Sequence, residues 1–316
     1  MKIGIYVEIK EGRIPEAQFG PLALAGEHEV FAIVLDAVTS EAYAPLSDHG
    51  VNTIVEMVLP HESEISANPV IRAKALAKAG EELGLDCLAG LSNATGRDVL
   101  PRAAALLDAP LVMDCVDVDF ERLRAKTSQY SGKALATVQV TGSPSIFGIR
   151  PNAVMPVVTD GADAANVITL EPEAAEPVGF KILDAAAEVG DPDAPPALAE
   201  AEIIIAGGRG LKSKENFDLI FECAKKMKAA VGASRVAVDN EWISYAHQVG
   251  QTGEKVSPTV YIACGISGSI QHFAGMKTSR IIIALNQDPD AAMMANCDYA
   301  VEGDLFDILP ELNRLL

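Results

Sequence analysis

Two short stretches hold the residue types from which chemistry could be built. QVGQTG, residues 248–253, gathers two glycines, two glutamines and a threonine with no proline and no charge. Glycine disfavours a helix by about 1 kcal/mol per position, and the stretch does not alternate as a strand does. It reads as a tight loop whose amides and Thr252 hydroxyl face a ligand. GISGSIQH, residues 265–272, ends an apolar run in glycines, offers hydroxyls at Ser267 and Ser269, and opens a helix near Ser269. Free amides at such a start can hold a phosphate or pyrophosphate. His272 follows three residues after Ser269; beside a redox ring it would donate to an oxygen that gains negative charge on reduction. Arg209 sits between glycines in GGRG, a place that suits a phosphate or ring partner better than packing. Arg235, next to Ser234, opens a predicted strand and is either a ligand contact or a surface cation. The bland alternative for every one of these is structural, since strand ends need turn residues in any case.

Several chemistries are excluded. The glycine spacing is not GxGxxG in either loop, and Asp239 lies 32 residues after Gly207, where a ribose-binding acid is expected about 20 residues on. An ordinary nicotinamide fingerprint is therefore absent, which counts against a dehydrogenase built on the same crevice. The five cysteines show neither CxxC nor metal-ligand spacing and suit a reducing compartment. No metal cluster, nucleophile or acid/base pair is visible, as in a chain that transforms no substrate of its own. A net charge of −19 makes nucleic acid an improbable partner. The chain enters a strand at MKIGIYVEI, without a signal or transit peptide, and no apolar run reaches the roughly 20 residues of a membrane span. A cytoplasmic protein, not integral to a membrane, is the expectation.

The elements that must position these residues are read from periodicity. Strands are predicted at 2–9, 29–37, 52–59 and 111–120 and helices at 69–84 and 96–109, an α/β layer architecture. GKALATVQVTGSPSIFGIR then reads as β-hairpin material with turns at Gly132 and at Gly142-Ser143-Pro144. Residues 184–200, rich in Ala, Asp and Pro, are the expected linker. A second α/β pattern follows: a strand into GGRG, a helix from Ser213 to Gly232, strands at RVAVD (235–239), TVYIACGISGS, RIIIALNQD and DYAVEGD, and a closing helix from residue 305. The fold class expected is α/β in two domains, 1–192 nucleotide-binding-like and 193–316 a parallel-sheet ligand domain. Each predicted strand of the second domain finishes in glycine or a small polar residue, and ligands bind beyond the carboxyl ends of such strands. A nucleotide site is the expectation.

GGRGLKSKENF, VGASRVAVD, QVGQTG, SPTVYIACGISGSIQHFAGMK, IIIALNQDPDA and DYAVEGDLFDILPEL, in this order, resemble the C-terminal domain of electron transfer flavoprotein alpha subunits, almost without gaps over 200–316. The first domain resembles the family more loosely, through GKALATVQV and LPRAAALLDAPLVMD. The resemblance implies a heterodimer whose alpha subunit binds FAD non-covalently and whose beta subunit holds AMP. It also implies electron transfer from acyl-CoA dehydrogenases and related flavoenzymes, as in fatty acid β-oxidation, to a quinone oxidoreductase, with the first domain contacting the beta subunit. A nitrogen-fixation-associated or electron-bifurcating paralogue is the alternative. By resemblance, Arg235 lies against the flavin ring, His272 approaches the pyrimidine oxygen, and Gly250, Gln251 and Thr252 address the N5 side. Ser267, Gly268, Ser269, Ile270 and Gln271 follow the ribityl-pyrophosphate stretch. Arg209, Ser234, Asn286 and Asp304 complete the site, and Gln248, Val249, Gly265 and Leu305 join the cofactor-binding set. A cation and a donor near the pyrimidine end would favour an anionic one-electron-reduced flavin. Ala291 departs from the family, which often has proline there.

Overall fold

A computed structural model of the chain describes residues 1–10, 12–60, 63–130, 134–159, 164–172, 181–182 and 195–316. The chain divides into two compact units, Met1–Thr127 with Ala136–Ala186, and Ser128–Leu135 with Ala187–Leu316. Most of the predicted linker, and the turn predicted at Gly132, lie outside the described residues.

The first unit is built on a sheet of strands β1 (Lys2–Val7), β2 (Glu29–Val34), β3 (Thr53–Glu56), β4 (Cys87–Leu91), β5 (Leu111–Asp119), β6 (Arg124–Gln129), β7 (Ala134–Gln139), β8 (Ser145–Ile149) and β9 (Asn166–Thr169). Their order is β7-β6-β5-β8-β4-β1-β2-β3-β9. Pairing is parallel from β5 through β9, and β5 runs antiparallel to β6. The central strands are apolar on both faces, the signature of a parallel sheet with both sides covered. One core gathers Ile3, Ile5 and Phe147 and the other gathers Tyr6, Leu88 and Ile146. Two helices cover the second face. Pro69–Leu83 starts where the Asn68 side chain accepts from Val70 N at 3.0 Å and stops at Gly84 in the left-handed conformation. Ala94–Leu106 is capped by Asn93, which accepts from Gly96 N at 2.9 Å.

One strand is added to the sequence reading here and one expectation is corrected. CLAGL forms β4, which its uniformly buried five residues hid from an alternation test. SIFGI is no hairpin arm: β8 lies parallel between β4 and β5, because it is buried along its whole length and can only sit inside the sheet.

The second unit carries β10 (Ile203–Gly207), β11 (Ala230–Ala233), β12 (Val260–Cys264), β13 (Ile281–Asn286) and β14 (Tyr299–Glu302). The order is β11-β10-β12-β13-β14, and every pair is parallel. Alternate side chains of β12 serve opposite cores: Ile262 and Cys264 pack with Ile205 and Phe217, while Tyr261 and Ala263 pack with Ile204 and Val249. Here the sequence reading needs its largest correction. RVAVD is not a strand but the helix Arg235–Asp239, and the strand is the preceding AVGA. The helix before it is Phe217–Met227, not 213–232; Lys228 in the left-handed conformation ends it, and Asn216 rather than Ser213 holds the first cap position. The alternating apolar residues of RVAVD fit a strand, but the slot beside β10 is dry on both faces. AVGA is fully buried there, whereas Arg235 and Val236 are exposed.

Candidate functional site

The second sheet fixes where a ligand can sit. Counting its strands from β10, the spatial order is second, first, third, fourth, fifth. The direction of winding therefore reverses between β10 and β12, and ligands bind outside the carboxyl ends at that switch point. The segments leaving those two strands are the glycine-rich ones. Gly208 N donates to Cys264 O at 2.9 Å and Gly210 N to Gly265 O at 3.0 Å. The two backbones touch: a Cβ on Gly210 would stand 2.7 Å from the Gly265 Cα, and Gly265 itself has φ +63°. Glycine at both positions is what lets the loops meet and leaves their outer edges as one wall.

QVGQTG closes the opposite side. Val249 N donates to Ala233 O at 3.0 Å, Gly250 N to Glu254 O at 3.2 Å, and Gln251 N to Gln271 O at 2.8 Å. The loop is thus tied to the end of β11 and to the helix Ile270–Met276. Gly275 in that helix is the seat: a Cβ there would lie 2.4 Å from Gly250 N. Within the loop, buried Gln248 donates its amide to the Thr252 Oγ1 at 3.0 Å, and the Tyr245 hydroxyl bonds the Thr252 carbonyl. Thr252, itself exposed, keeps its own O–H as a donor. His247, just before the loop, is structural, with Nδ1 2.8 Å from the Val231 carbonyl.

Between these walls lies a cavity of about 670 Å³, within the usual size of cofactor sites. Fifteen of the residues expected to bind a cofactor line it: Arg209, Ser234, Arg235, Gln248 to Thr252, Gly265, Ser267 to Ser269, Gln271, His272 and Asn286. Ile270, Asp304 and Leu305 do not. Asp304 caps the helix Leu305–Leu315, accepting from Phe306 N at 2.9 Å, and Leu305 is buried in the core. The wall also includes Gly210, Lys212, Val236, Asp239, Ile266, Asp288 and Ala291. Val236 was hidden by the strand reading of RVAVD, whereas Asp239 was expected at the crevice as the end of that strand and reaches it from a helix instead. Lys212, three residues past Arg209, could have been found from the GGRG strand end.

Two polar atoms here are buried and close no hydrogen bond, Ser234 Oγ and His272 Nδ1. His272 is 4% exposed, and its Nε2 lies 2.9 Å from the Tyr261 hydroxyl. Burial pulls the imidazole down to about 4, opposed by hydrogen bonding with the Val249 backbone, which raises it, so the ring is neutral at pH 7. Arg235 lies at the surface of the wall, its Nε 3.2 Å from Asp239 Oδ2 across one helical turn. Asn286 is held at both ends, donating to Ile266 O at 3.1 Å and accepting from Asp288 N at 3.1 Å. Among the described residues, no group of acidic, histidine and cysteine side chains could hold a metal, and no helix is long and apolar enough to cross a membrane.

The profile described as Electron transfer flavoprotein FAD-binding domain matches residues 197–277, and that described as Electron transfer flavoprotein domain matches residues 21–175. Electron transfer flavoprotein subunit alpha of Bacillus subtilis (strain 168) is 33% identical over 322 residues, covering 99% of this chain and 96% of that one. The chain belongs to the electron transfer flavoprotein alpha-subunit family. The mitochondrial electron transfer flavoprotein subunit alpha of Oryza sativa subsp. indica is 38% identical over 269 residues, 83% of this chain and 74% of that one. Protein FixB of Clostridium saccharobutylicum is 41% identical over 225 residues, 69% of this chain and 66% of that one. The FAD-binding match of this alpha-subunit chain contains the GGRG, QVGQTG and GISGS loops together with His272 and Gly275. Asn286, Asp288 and Ala291 complete the wall from beyond it.

Proposed function

We propose that this chain holds FAD non-covalently in the switch-point cavity and works as one half of a two-subunit electron carrier that converts no substrate of its own. One observation carries the reading: the loops of a family FAD-binding domain converge on a single cavity whose wall contains two buried polar groups, on Ser234 and His272, awaiting a partner. Buried polar groups are nearly always paired, so both ask for a ligand that supplies acceptors inside the protein. The rest of the wall suits the same guest. Arg209, Lys212 and Arg235 supply positive charge, Ser267 and Ser269 supply hydroxyls, and glycines allow close backbone approach along a diphosphate.

FAD, when bound, supplies the one- and two-electron redox chemistry. The chain's residues do the rest. Gln248 holds the Thr252 hydroxyl in place, the Gly250–Gly275 seat holds the loop that carries it, and Arg235 and neutral His272 set the charge and hydrogen bonding of the wall. In this reading the partner is an electron transfer flavoprotein beta subunit that holds AMP, with residues 1–192 forming the part that meets it. The donors are acyl-CoA or related flavoprotein dehydrogenases, the acceptor a quinone oxidoreductase, and the site of action the cytoplasm. The likeness to Protein FixB favours one second reading, a paralogue with a different donor. Reduction of the complex by an acyl-CoA dehydrogenase and its substrate separates the two: rapid bleaching favours the first, and none favours the paralogue.

The primary test is the absorption spectrum of the complex purified with its second subunit. The bands of oxidised flavin, released intact by denaturation, are expected; a colourless complex that takes up no added FAD defeats the proposal. Arg235→Ala is expected to lower the first flavin midpoint potential on the order of 50 mV, about 1 kcal/mol for one electron. The size is modest because the guanidinium is solvent-exposed and already shares Asp239. Unchanged midpoints in a spectroelectrochemical titration would remove Arg235 from the tuning set.

A further inference from the structure

Tyr261 lies in β12 with its side chain fully buried between Ile204, Ala230 and Val249. Its hydroxyl meets one group, His272 Nε2, at 2.9 Å. The two residues are 11 apart in the chain, on a strand and on the helix that follows the GISGS loop, so the bond links the sheet core to the cavity wall. The ring's other nitrogen, Nδ1, is buried and closes no hydrogen bond of good geometry; besides Tyr261, the Val249 backbone is the polar group that bears on the ring, and it favours a bound proton. A neutral imidazole has one N–H and one bare nitrogen, and which is which depends on the partner.

We infer that Tyr261 is a positioning residue: its hydroxyl donates to His272 Nε2 and so holds the ring in the tautomer that carries its proton on Nδ1, ready to donate to an acceptor oxygen in the cavity. The alternative can be weighed atom by atom. If Nε2–H donated to the phenol oxygen, the Tyr261 O–H would have no acceptor in an apolar core, and the bare Nδ1 would have no donor. Two buried polar groups would then be unmet, each at the full cost of its desolvation. With the hydroxyl donating to Nε2, both of those atoms are satisfied and the one remaining group is the Nδ1 N–H. That group is a donor, and a ligand carbonyl or ring oxygen can meet it. A phenol O–H is also the better donor, and an imidazole nitrogen the better acceptor, of the two. Burial keeps both partners in the required states, pushing the Tyr261 phenol well above its ordinary value and holding the imidazole neutral.

The identity of the acceptor as FAD rests on the functional reading above; the tautomer does not. The test is a long-range proton–nitrogen correlation spectrum of the two-subunit complex carrying nitrogen-labelled histidine, recorded without and with FAD. The His272 signals are identified by their loss in His272→Gln. In the wild type, Nε2 should show the shift of an unprotonated nitrogen and Nδ1 that of a protonated one, in both forms. In Tyr261→Phe the Nε2-protonated tautomer should appear as a substantial population, and the FAD dissociation constant should rise about 3- to 10-fold. A wild type with its proton on Nε2 overturns the inference, and so does a Tyr261→Phe spectrum identical to the wild type. Should Tyr261→Phe not fold, the wild-type spectrum alone decides. A complex that binds no FAD but shows the Nδ1–H form defeats the functional reading and leaves the tautomer assignment intact. A yellow complex with the opposite tautomer does the reverse.

Discussion

Gly275→Ala should weaken FAD binding roughly 30- to 160-fold, corresponding to about 2–3 kcal/mol. The added methyl group would stand 2.4 Å from Gly250 N and 2.5 Å from its Cα. Those are backbone atoms, so no rotamer change relieves the clash, and either the loop or the helix must move. The helix Ile270–Met276 is bound into the core by Ala274 and Met276, and Val249 anchors the loop's other end to β11 through the Ala233 carbonyl. Displacement therefore falls on Gly250 to Thr252, the part that faces the cavity. Alanine is otherwise the better helix former by about 1 kcal/mol, so in the absence of ligand the variant should unfold close to the wild-type temperature while losing affinity. Equilibrium titration of the flavin-stripped complex with FAD reads this directly. Wild-type affinity in the variant would show that the Gly250–Gly275 contact does not shape the site.

The second large effect is on stability and comes from His272. Its folded imidazole titrates at about 4 against an ordinary 6.5 because burial disfavours the cation. Between these two values the unfolded chain binds a proton that the folded chain does not. Stability is therefore undiminished by this group above pH 6.5 and is lost as pH falls through the window, by about 3 kcal/mol once it is crossed. Carboxylates held below their ordinary range by hydrogen bonds, such as Glu311 beside Arg314 and Asp119 beside the Arg122 backbone, add their own loss at still lower pH. The difference between wild type and His272→Gln isolates the histidine. Urea midpoints of the unloaded protein should converge for the two proteins as pH is lowered from 7 to 4. Parallel pH profiles would mean that the ring is charged, or solvated, in the folded state.

The sequence by itself determined the chemistry on offer and much of the architecture. The α/β class, the two units and the glycine-bearing strand ends are short-range or compositional properties, since parallel strands buried on both faces must be aliphatic and tight turns must be small and polar. The resemblance to the family was equally legible, because QVGQTG and GISGSIQH are contiguous motifs. What escaped was whatever depends on which neighbour an element finds. RVAVD alternates like a strand and AVGA does not, yet AVGA took the slot beside β10 because that slot is dry on both sides and Arg235 could not enter it. CLAGL and SIFGI became central strands for the same reason. Placement of Val236 and Ala291 in the wall, the seating of Gly250 on Gly275, and the pairing of Tyr261 with His272 all join residues separated along the chain. Tertiary structure alone decided them, because strand order sets which loops become neighbours and burial sets which polar atoms are left for a ligand.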